Sequence, residues 1–419
     1  MRRLAFVLLA IAALLGPVRA LDAQMPIEVR ESSARSDFPN GVTFTLEAGL
    51  DAAPDDVRLV YRIAPDGVRT TAVPECVGGT VVSCSFLLGA TRENFLIPGA
   101  EITYFWRITA GDDVRETEPQ LVTYEDSRFE WSTVSDAQIT VWYYDSDGED
   151  ARAVLDAARE SLDGIGALLQ ATVGFPVKVF YYASAQDMQQ AILADNAEGV
   201  ITLGEVVYSD TAMVAADASP LDITRHEVAH IVVREAVPEP YEVPDWLNEG
   251  LAVFAQNEPL SNQQSALDRA IERNEVFSVR SISSASAGSQ GDTVSLFYAQ
   301  SWSLVEFLVT TYGEDQFAAL FRAYAAGATT AEALEQVYGF NQDGLENEWR
   351  ASVGLPPRDA PTPGEGAEVP TDVIDEPDAA SDGDGDGAPV GLIIGVVALT
   401  LVLAGGLAVG GVLIARRYG

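Results

Sequence analysis

The most constraining feature of this 419-residue chain is an apolar run without charge from Val390 to Ala415. A helix that spans a membrane needs about 20 such residues, and in lipid only a helix or a closed barrel satisfies every backbone polar group. Arg416 and Arg417 follow the run at once, which favours a cytoplasmic end. The sequence therefore predicts one transmembrane helix over 389–415 and a cytoplasmic tail over 416–419.

Small residues four positions apart recur in the predicted transmembrane helix. They are Gly391 and Gly395, then Gly406 and Gly410, and this spacing lets two helices pack closely. Glycine is also more frequent in membrane helices than in soluble ones. The spacing therefore allows weak self-association through this helix without requiring it.

The other end of the chain has the features of a secretory signal. A pair of arginines precedes Leu4–Leu15, an apolar run too short to span a bilayer, and small-residue cleavage patterns end at Ala20 and Ala23. We expect a signal peptide over 1–23; a short N-terminal membrane anchor is the alternative, and either one exports the bulk of the chain. The sequence thus predicts a single-pass protein of the cell membrane whose N-terminal domains are extracytoplasmic.

The chain is strongly acidic, with a net charge of −38 from 25 Lys and Arg against 63 Asp and Glu. Such a charge repels a phosphate backbone and argues against nucleic acid as a partner. Ten acidic residues and no basic one lie between 359 and 388, which predicts a disordered, extended tether over 357–388. Asp382–Gly387 resembles the start of a calcium loop, but the position of its closing glutamate falls on Ile393, so we interpret it as tether.

Residues 25–126 alternate short strand-like runs with turn signals such as Pro-Asn-Gly and Pro-Asp-Gly. The clearest runs are Val42–Leu46, Val57–Ile63, Val81–Leu87 and Ile102–Ile108. This pattern predicts a small immunoglobulin-like β-sandwich. Cys76 and Cys84 lie within it, and in an oxidising compartment they predict a structural disulfide. The sandwich contains no catalytic grouping, so a spacer role and a binding role both stay open.

The pattern changes near residue 127. The predicted strands are Ile139–Tyr144, Val177–Tyr182 and Val206–Ala216, and the predicted helix between the first two is Ala151–Gln170. From Leu221 to Arg350 the segments are mostly helical, with loops near 238–244 and 274–292. A mixed sheet followed by helices indicates an α+β domain, which we assign to 127–356.

The chain has only two histidines, His226 and His230, and Glu227 follows the first of them. If Leu221–Ala236 is a helix, both imidazoles lie on one face and can meet one ion, while Glu227 projects beside that face. Tetrahedral catalytic zinc needs three protein ligands and an open position. The third ligand must therefore come from another element.

Glu249 is the natural candidate for that third ligand. Pro244-Asp245 can start a new helix with Asp245 as its cap, and Glu249 then lies in the second turn. Gly250 and Ala252 beside it are small and would let two helices approach around an ion. The alternative is an ordinary amphipathic helix whose histidines fall four apart by accident. The Asn-Glu-Gly sequence that follows Pro-Asp-Trp-Leu is a second, separate motif, and its presence argues against that accident.

His226-Glu227-x-x-His230, followed after eighteen residues by Glu249, resembles the zinc motif of the gluzincin metallopeptidases. Trp246-Leu-Asn-Glu-Gly-Leu-Ala252 is similar to the Trp-x-Asn-Glu-Gly-Phe-Ala signature of the aminopeptidase N family, and closer still to bacterial peptidase-MA-like domains. Tyr298 falls where aminopeptidase N relatives have a tyrosine that stabilises the transition state. The resemblance covers about 127–355 and implies a thermolysin-like metallopeptidase fold.

The resemblance also implies roles for individual residues. It implies one Zn²⁺ per chain, bound by His226, His230 and Glu249. It implies Glu227 as general base for a zinc-activated water and Tyr298 as oxyanion donor; for Tyr298 a core aromatic is the alternative, because other aromatics neighbour it in sequence. Zinc-bound histidines need outer hydrogen-bond partners. The acids near them in sequence are Asp222, Glu235, Glu239 and Glu242.

One departure from the family bears on specificity. Aminopeptidase N relatives carry Gly-x-Met-Glu-Asn on the strand before the zinc helix, and its acid holds the substrate's amine. The comparable place here is Thr211–Ala216, which has no acid or amide. Met213, Val214 and Ala215 remain candidates for substrate binding, because a strand can pair with an extended peptide by edge addition. An endopeptidase is then as plausible as an exopeptidase.

Three hypotheses follow for the function. The first is a membrane-anchored extracytoplasmic zinc metallopeptidase that acts on a peptide or protein substrate. The second is a surface binding protein with a catalytically silent peptidase-like domain, and the third is a gluzincin-fold hydrolase that acts on a non-peptide bond. Every residue of the core motif is present, including the base, which favours the first.

Overall fold

The computed structural model describes residues 27–358, except for gaps at 66, 92–93, 95, 147, 193–203, 218, 257–258, 260 and 284–290. The predicted signal peptide, the tether from residue 359 onward, the transmembrane helix and the cytoplasmic tail lie outside the described residues. Among the helices that the structure describes, none combines the length and the apolar character needed to cross a membrane.

The N-terminal part is built from strands in two sheets. The strands are Glu28–Asp37 (β1), Gly41–Gly49 (β2), Asp56–Ala64 (β3), Thr70–Ala72 (β4), Glu75–Gly78 (β5), Val81–Gly89 (β6), Glu101–Ala110 (β7), Asp113–Glu116 (β8) and Gln120–Thr123 (β9). One sheet has the order β1-β2-β6-β5, and the other has the order β4-β3-β7-β8 with β9 also paired to β7. Lettered along the chain, these are an ABED sheet and a C′CFG sheet, an order that occurs in immunoglobulin-like sandwiches, and the prediction of a sheet-rich N-terminal domain is confirmed.

The core of the sandwich follows from the alternation along its strands. On β7 the side chains of Ile102, Tyr104, Trp106 and Ile108 are buried, and the residues between them are more exposed. They meet the inner face of the other sheet, where the ring of Phe44 lies 4.8 Å from that of Tyr104 between centroids. Successive strand residues point to opposite faces, so this pattern allows burial on one face only.

The predicted disulfide is present. Cys76 on β5 lies directly opposite Cys84 on β6, and the two sulfurs are bonded. The short strand β5 pairs with β6 in this register, so the bond links the last strand of the ABED sheet to its neighbour. This disulfide is a structural feature of the sandwich.

The second part has one mixed sheet. Its strands are Ser132–Ser135 (β10), Ile139–Tyr143 (β11), Val177–Tyr182 (β12), Gly204–Tyr208 (β13) and Thr211–Ala215 (β14), in the order β10-β11-β12-β14-β13. Strands β11, β12 and β14 are mutually parallel, while β10 and β13 run antiparallel at the two sides. The connection between β11 and β12 is a helix, as parallel strands require.

The prediction of one continuous strand over Val206–Ala216 is wrong. The chain turns at Ser209-Asp210 and forms an antiparallel hairpin of β13 and β14, with Val206 opposite Ala212. Within the described residues β13 pairs only with β14, whereas β14 pairs with β12 on its other side. Within the described residues, β13 is therefore one edge of the sheet and β10 is the other.

The helices carry the rest of the fold. They are Glu149–Leu169 (α1), Ala185–Ala191 (α2), Pro220–Ala236 (α3), Asp245–Ala255 (α4), Ser261–Arg273 (α5), Gly291–Tyr312 (α6), Glu314–Ala325 (α7), Thr330–Tyr338 (α8) and Gln342–Ser352 (α9). The predicted helical half is thus confirmed, with its loops on either side of α4 and α5. Helix α3 packs against α1, α4 and the β13–β14 hairpin.

Helix α4 approaches α6 closely because it carries a glycine at the contact. A Cβ on Gly250 would lie 2.4 Å from the backbone oxygen of Ser301 and 3.0 Å from a methyl of Val305. The sequence prediction was that Gly250 allows two helices to meet around an ion. The helix that it admits is α6, which carries Tyr298 toward the same site.

Candidate metal centre

Helix α3 supplies the two histidines. Pro220 occupies its first turn, where the missing N–H costs nothing, and the helix then runs unbroken through the motif. His226 and His230 lie one turn apart with ring centroids 4.9 Å from each other. Nearly every residue from 223 to 233 is buried, so α3 is not an amphipathic surface helix. The structure therefore contradicts the amphipathic character that the alternative assigns to this helix.

Helix α4 supplies the glutamate. Pro244 is the N-cap residue in extended conformation, and the backbone N–H of Trp246 donates to the carbonyl oxygen of Ile282. Asp245 is the first helical residue and makes no capping hydrogen bond, so the prediction that Asp245 caps the helix is wrong. Burial raises the pKa of Asp245 to about 6, with further contributions from Glu249 and Glu242.

The three predicted ligands converge. Nε2 of His226 lies 3.3 Å from Oε2 of Glu249, and Nε2 of His230 lies 3.7 Å from the same oxygen. One ligand atom from each residue falls within 4.8 Å of the others, and all three residues are buried. Two ligands one turn apart on a helix and a third from a second helix match the donor set of a catalytic zinc site.

Burial sets the charge state of these groups. It lowers the pKa of His226 to about 3 and also lowers the pKa of His230, so both imidazoles are neutral at pH 7. Burial raises the pKa of Glu249, and the neighbouring His230 only partly opposes this shift. The short contacts are therefore not ion pairs. Neutral imidazole is the form that binds metal, and a cation would stabilise the buried carboxylate.

The ligand atoms that converge have no hydrogen-bond partner among the described residues. Nε2 of His226, Nε2 of His230 and Oε2 of Glu249 are buried and make no hydrogen bond with the described part of the chain. Burying a polar group without a partner costs on the order of 1–3 kcal/mol. Three such atoms aimed at one point fit a metal ion, and two nitrogens with one carboxylate oxygen suit zinc.

The outer partners of the histidines are amides. Nδ1 of His230 donates to Oδ1 of Asn248 over 3.0 Å, which leaves Nε2 as the metal-facing nitrogen. The amide of Gln256 lies 3.1 Å from Nδ1 of His226. If this amide is rotated by 180°, its Oε1, which has no hydrogen-bond partner among the described residues, accepts a hydrogen bond from the Nδ1–H of His226.

None of the acids named from sequence fills this role in the hydrogen bonds of the described residues. Asp222 instead accepts from Arg225 on the same helix, while Glu235, Glu239 and Glu242 are exposed. Proximity in sequence did not identify the hydrogen-bond partner, because Asn248 contacts His230 from a different helix. The signal that could have found Asn248 is its place immediately before the ligand Glu249.

Glu227 is fully buried beside the two histidines. Its Oε1 lies against the backbone of β13, where a Cβ on Gly204 would come within 2.7 Å of it. Only glycine leaves this room, because the same Cβ would also lie 2.4 Å from a methyl of Ile223. Gly204 is a site residue that the sequence did not reveal, since its strand was not recognised.

Tyr298 lies at the site. Its ring centroid is 6.1 Å from that of His226. Burial raises the pKa of Tyr298 well above its usual range, and the charges of Glu249 and Glu227 raise it further. The hydroxyl therefore stays protonated, as a hydrogen-bond donor must. Phe297 also packs against the ring, so the residue has core contacts as well.

The structure does not place Met213, Val214 and Ala215 on a free edge. They are fully buried in β14, which is hydrogen-bonded to β12 on one side and β13 on the other. The prediction that they pair with a peptide by edge addition is wrong, because no backbone group there is available. The edge strand on this side of the sheet is β13, whose sequence begins Gly204-Glu205.

One protein-family model matches the part of the chain that contains this site. Residues 157–354 match the family model of the Peptidase MA superfamily. The matched region runs from α1 through α9 and contains His226, His230 and Glu249. The match supports a metallopeptidase domain in this part of the chain.

Solved structures and curated proteins add less. The chain is similar to an M1 zinc metallopeptidase mutant from Deinococcus radiodurans, at 13% identity and a TM-score of 0.34, over 80% of this chain and 96% of that one. A likeness this distant does not establish that the two chains share one arrangement. No curated protein is similar enough in sequence to count as a relative.

Proposed function

We propose that this protein is a membrane-anchored, extracytoplasmic zinc-dependent peptidase of the gluzincin type, related to the aminopeptidase N family. The supporting observation is the convergence of three buried ligand atoms from α3 and α4 that make no hydrogen bond with the described residues, with Glu227 and Tyr298 beside them. The Peptidase MA superfamily match supports the peptidase assignment. The membrane anchor and the location rest on the apolar ends of the sequence.

Each residue has a distinct task in the proposed reaction. Zinc, when bound, supplies a Lewis acid that polarises a carbonyl and lowers the pKa of water toward about 7. Glu227 accepts the proton of the attacking water and can pass it to the leaving amine. The protonated hydroxyl of Tyr298 donates to the oxygen on which negative charge develops. Asn248 holds His230 in the tautomer that presents Nε2.

Replacing Tyr298 by phenylalanine is expected to lower kcat by about 10²–10³-fold, because it removes one donor to the developing oxyanion. Zinc content and thermal stability should change little, since the ring keeps its packing against Phe297 and His226. Steady-state kinetics and a melting curve are measured side by side. A large loss of stability with little change in kcat would support the core-aromatic alternative instead.

The proposal is tested by profiling a diverse peptide library with the purified protein, with and without a chelator. We expect metal-dependent cleavage, and the positions of the cuts distinguish internal from terminal hydrolysis. The strand without an acid or amide, β14, is an interior strand, so its composition does not decide between endopeptidase and exopeptidase. Binding of peptides without any cleavage would favour the silent binding protein.

A further inference from the structure

The β-sandwich contacts the sheet of the second part at its edge hairpin. The backbone N–H of Ile97, in the loop before β7, donates to the hydroxyl of Tyr208 on β13 over 3.0 Å, and this contact is buried. Tyr208 is the last residue of β13. One end of this edge strand is thus bound to the sandwich.

A second contact uses the only lysine of the chain. Nζ of Lys178, on β12, lies 3.4 Å from a carboxylate oxygen of Glu101 in the sandwich and 3.2 Å from one of Asp210 in the hairpin turn. The Lys178 and Asp210 side chains are largely buried, at 14% and 12% exposure. The backbone N–H of Lys178 also donates to the carbonyl of Asp210. Lys178 therefore joins sandwich, central strand and hairpin turn.

A third contact fixes how closely the two parts approach. Gly99, at positive φ, presents its backbone to the ring of Phe180 on β12, and a Cβ there would come within 2.5 Å of the ring. Its N–H donates to the carbonyl of Tyr124 within the sandwich. The loop from Leu96 to Ala100, followed by Glu101 at the start of β7, is thus a shaped contact surface and not a loose linker.

The held strand is the one that borders the candidate site. At the other end of β13, Gly204 lies against Glu227. Because β13 pairs only with β14 among the described residues, its position depends on whatever holds the hairpin from outside. Helix α3 packs against the hairpin from the helical side, and the sandwich loop and Lys178 hold its turn end through Tyr208 and Asp210.

We propose that Lys178 and Tyr208 are positioning residues, through which the sandwich holds the edge strand β13 in place for an extended peptide substrate. This inference rests on the proposed function. The sequence left open whether the sandwich is a spacer or a binding domain. In this proposal it supports substrate binding by holding β13 in place. Removing the lysine leaves Glu101 beside a largely buried Asp210, two like charges without their shared cation.

The test compares Lys178→Met, Lys178→Arg and Tyr208→Phe with the unchanged protein. We expect Lys178→Met to raise KM for peptide substrates about tenfold with kcat within about twofold, because the hydrogen-bonded charge that orders the hairpin is lost. Lys178→Arg, which keeps the cation, should restore most of the affinity. Tyr208→Phe should raise KM by a smaller factor, since it removes one neutral hydrogen bond.

A matched control breaks an ion pair on the same strand of the sandwich as Glu101, six residues farther along β7. Arg107 lies 2.7 Å from Glu116 on the outer face of the C′CFG sheet, and both side chains are about half exposed. Arg107→Met should leave KM and kcat unchanged. A tenfold rise of KM in this control would mean that any damage to the sandwich has the same effect, and would overturn the specific role of Lys178.

A second readout separates this inference from the proposed function. Amide hydrogen exchange over residues 204–215 is measured in the same variants without substrate, and we expect about tenfold faster exchange in Lys178→Met but not in Arg107→Met. If the wild-type chain binds no zinc or cleaves nothing, the proposed function fails, while the exchange result still tests the hold on the hairpin. Unchanged exchange and unchanged KM in Lys178→Met would overturn the inference.

Discussion

Replacement of Glu227 by glutamine is expected to lower peptide hydrolysis by about 10²–10⁴-fold while zinc content stays at the wild-type level. Glutamine keeps the shape of the side chain against Gly204 but cannot accept the proton of the attacking water. The ligand atoms are on other residues, so the metal should remain bound. The measurements are turnover of a cleaved peptide and elemental analysis of the same preparation.

The control for this prediction is Glu235→Gln, the same chemical change on an exposed residue of the same helix. It should leave hydrolysis and zinc content unaltered. Undiminished turnover in Glu227→Gln would exclude Glu227 as the base. Loss of zinc in that variant would instead mean that its carboxylate belongs to the metal site, and the assignment of three ligands would have to be revised.

Replacement of Glu249 by alanine is expected to weaken zinc binding by more than about 100-fold, because loss of even an outer partner of a metal ligand typically costs 10–100-fold. It removes the only ligand that comes from α4 and leaves two neutral imidazoles. The affinity is measured by competition with a chromogenic chelator. Zinc should also raise the melting temperature of the wild-type protein and fail to do so for this variant.

Two further variants test whether the loss of zinc affinity follows the distance of each residue from the metal site. Asn248→Ala should weaken zinc binding by an intermediate factor of about 10–100, because the hydrogen bond that orients His230 is lost. Glu242→Ala, an exposed acid in the loop before α4, should change nothing. Equal zinc affinity in Glu249→Ala and the wild-type protein would remove Glu249 from the site.

The grouping of His226, His230 and Glu249 could be predicted from sequence because most of its geometry is local. Two histidines one turn apart share a helix face whatever the rest of the fold does, and the second motif names the other helix. The strands of the sandwich could be predicted equally well, because the alternation of apolar and polar residues along strands such as β7 marks the buried face directly. The disulfide between Cys76 and Cys84 could be predicted from their short spacing and the oxidising compartment that the signal peptide implies.

The hairpin of β13 and β14 was missed for a physical reason. Its turn is Ser209-Asp210, without the glycine or asparagine that marks tight hairpin turns, so the apolar residues on either side form one run. That error carried the predicted substrate strand onto β14, an interior strand. Gly204 and its contact with Glu227 could not be seen until the true edge strand was known.

The amide partners of the histidines escaped for a different reason. Carboxylates close in sequence were natural candidates, yet they lie on the exposed parts of α3 and of the loop that follows it. Asn248 and Gln256 reach the imidazoles from α4, so their roles depend on how two helices pack. The contact of Lys178 with Glu101 depends in the same way on how the sandwich sits against the sheet.

The central claim is that one cation is bound jointly by α3 and α4. The most direct measurement is the zinc content of the purified wild-type protein after incubation with zinc and removal of the excess. We predict one zinc per chain, released by a strong chelator and taken up again on addition of the metal. A wild-type protein that is folded and retains no stoichiometric zinc would contradict the account.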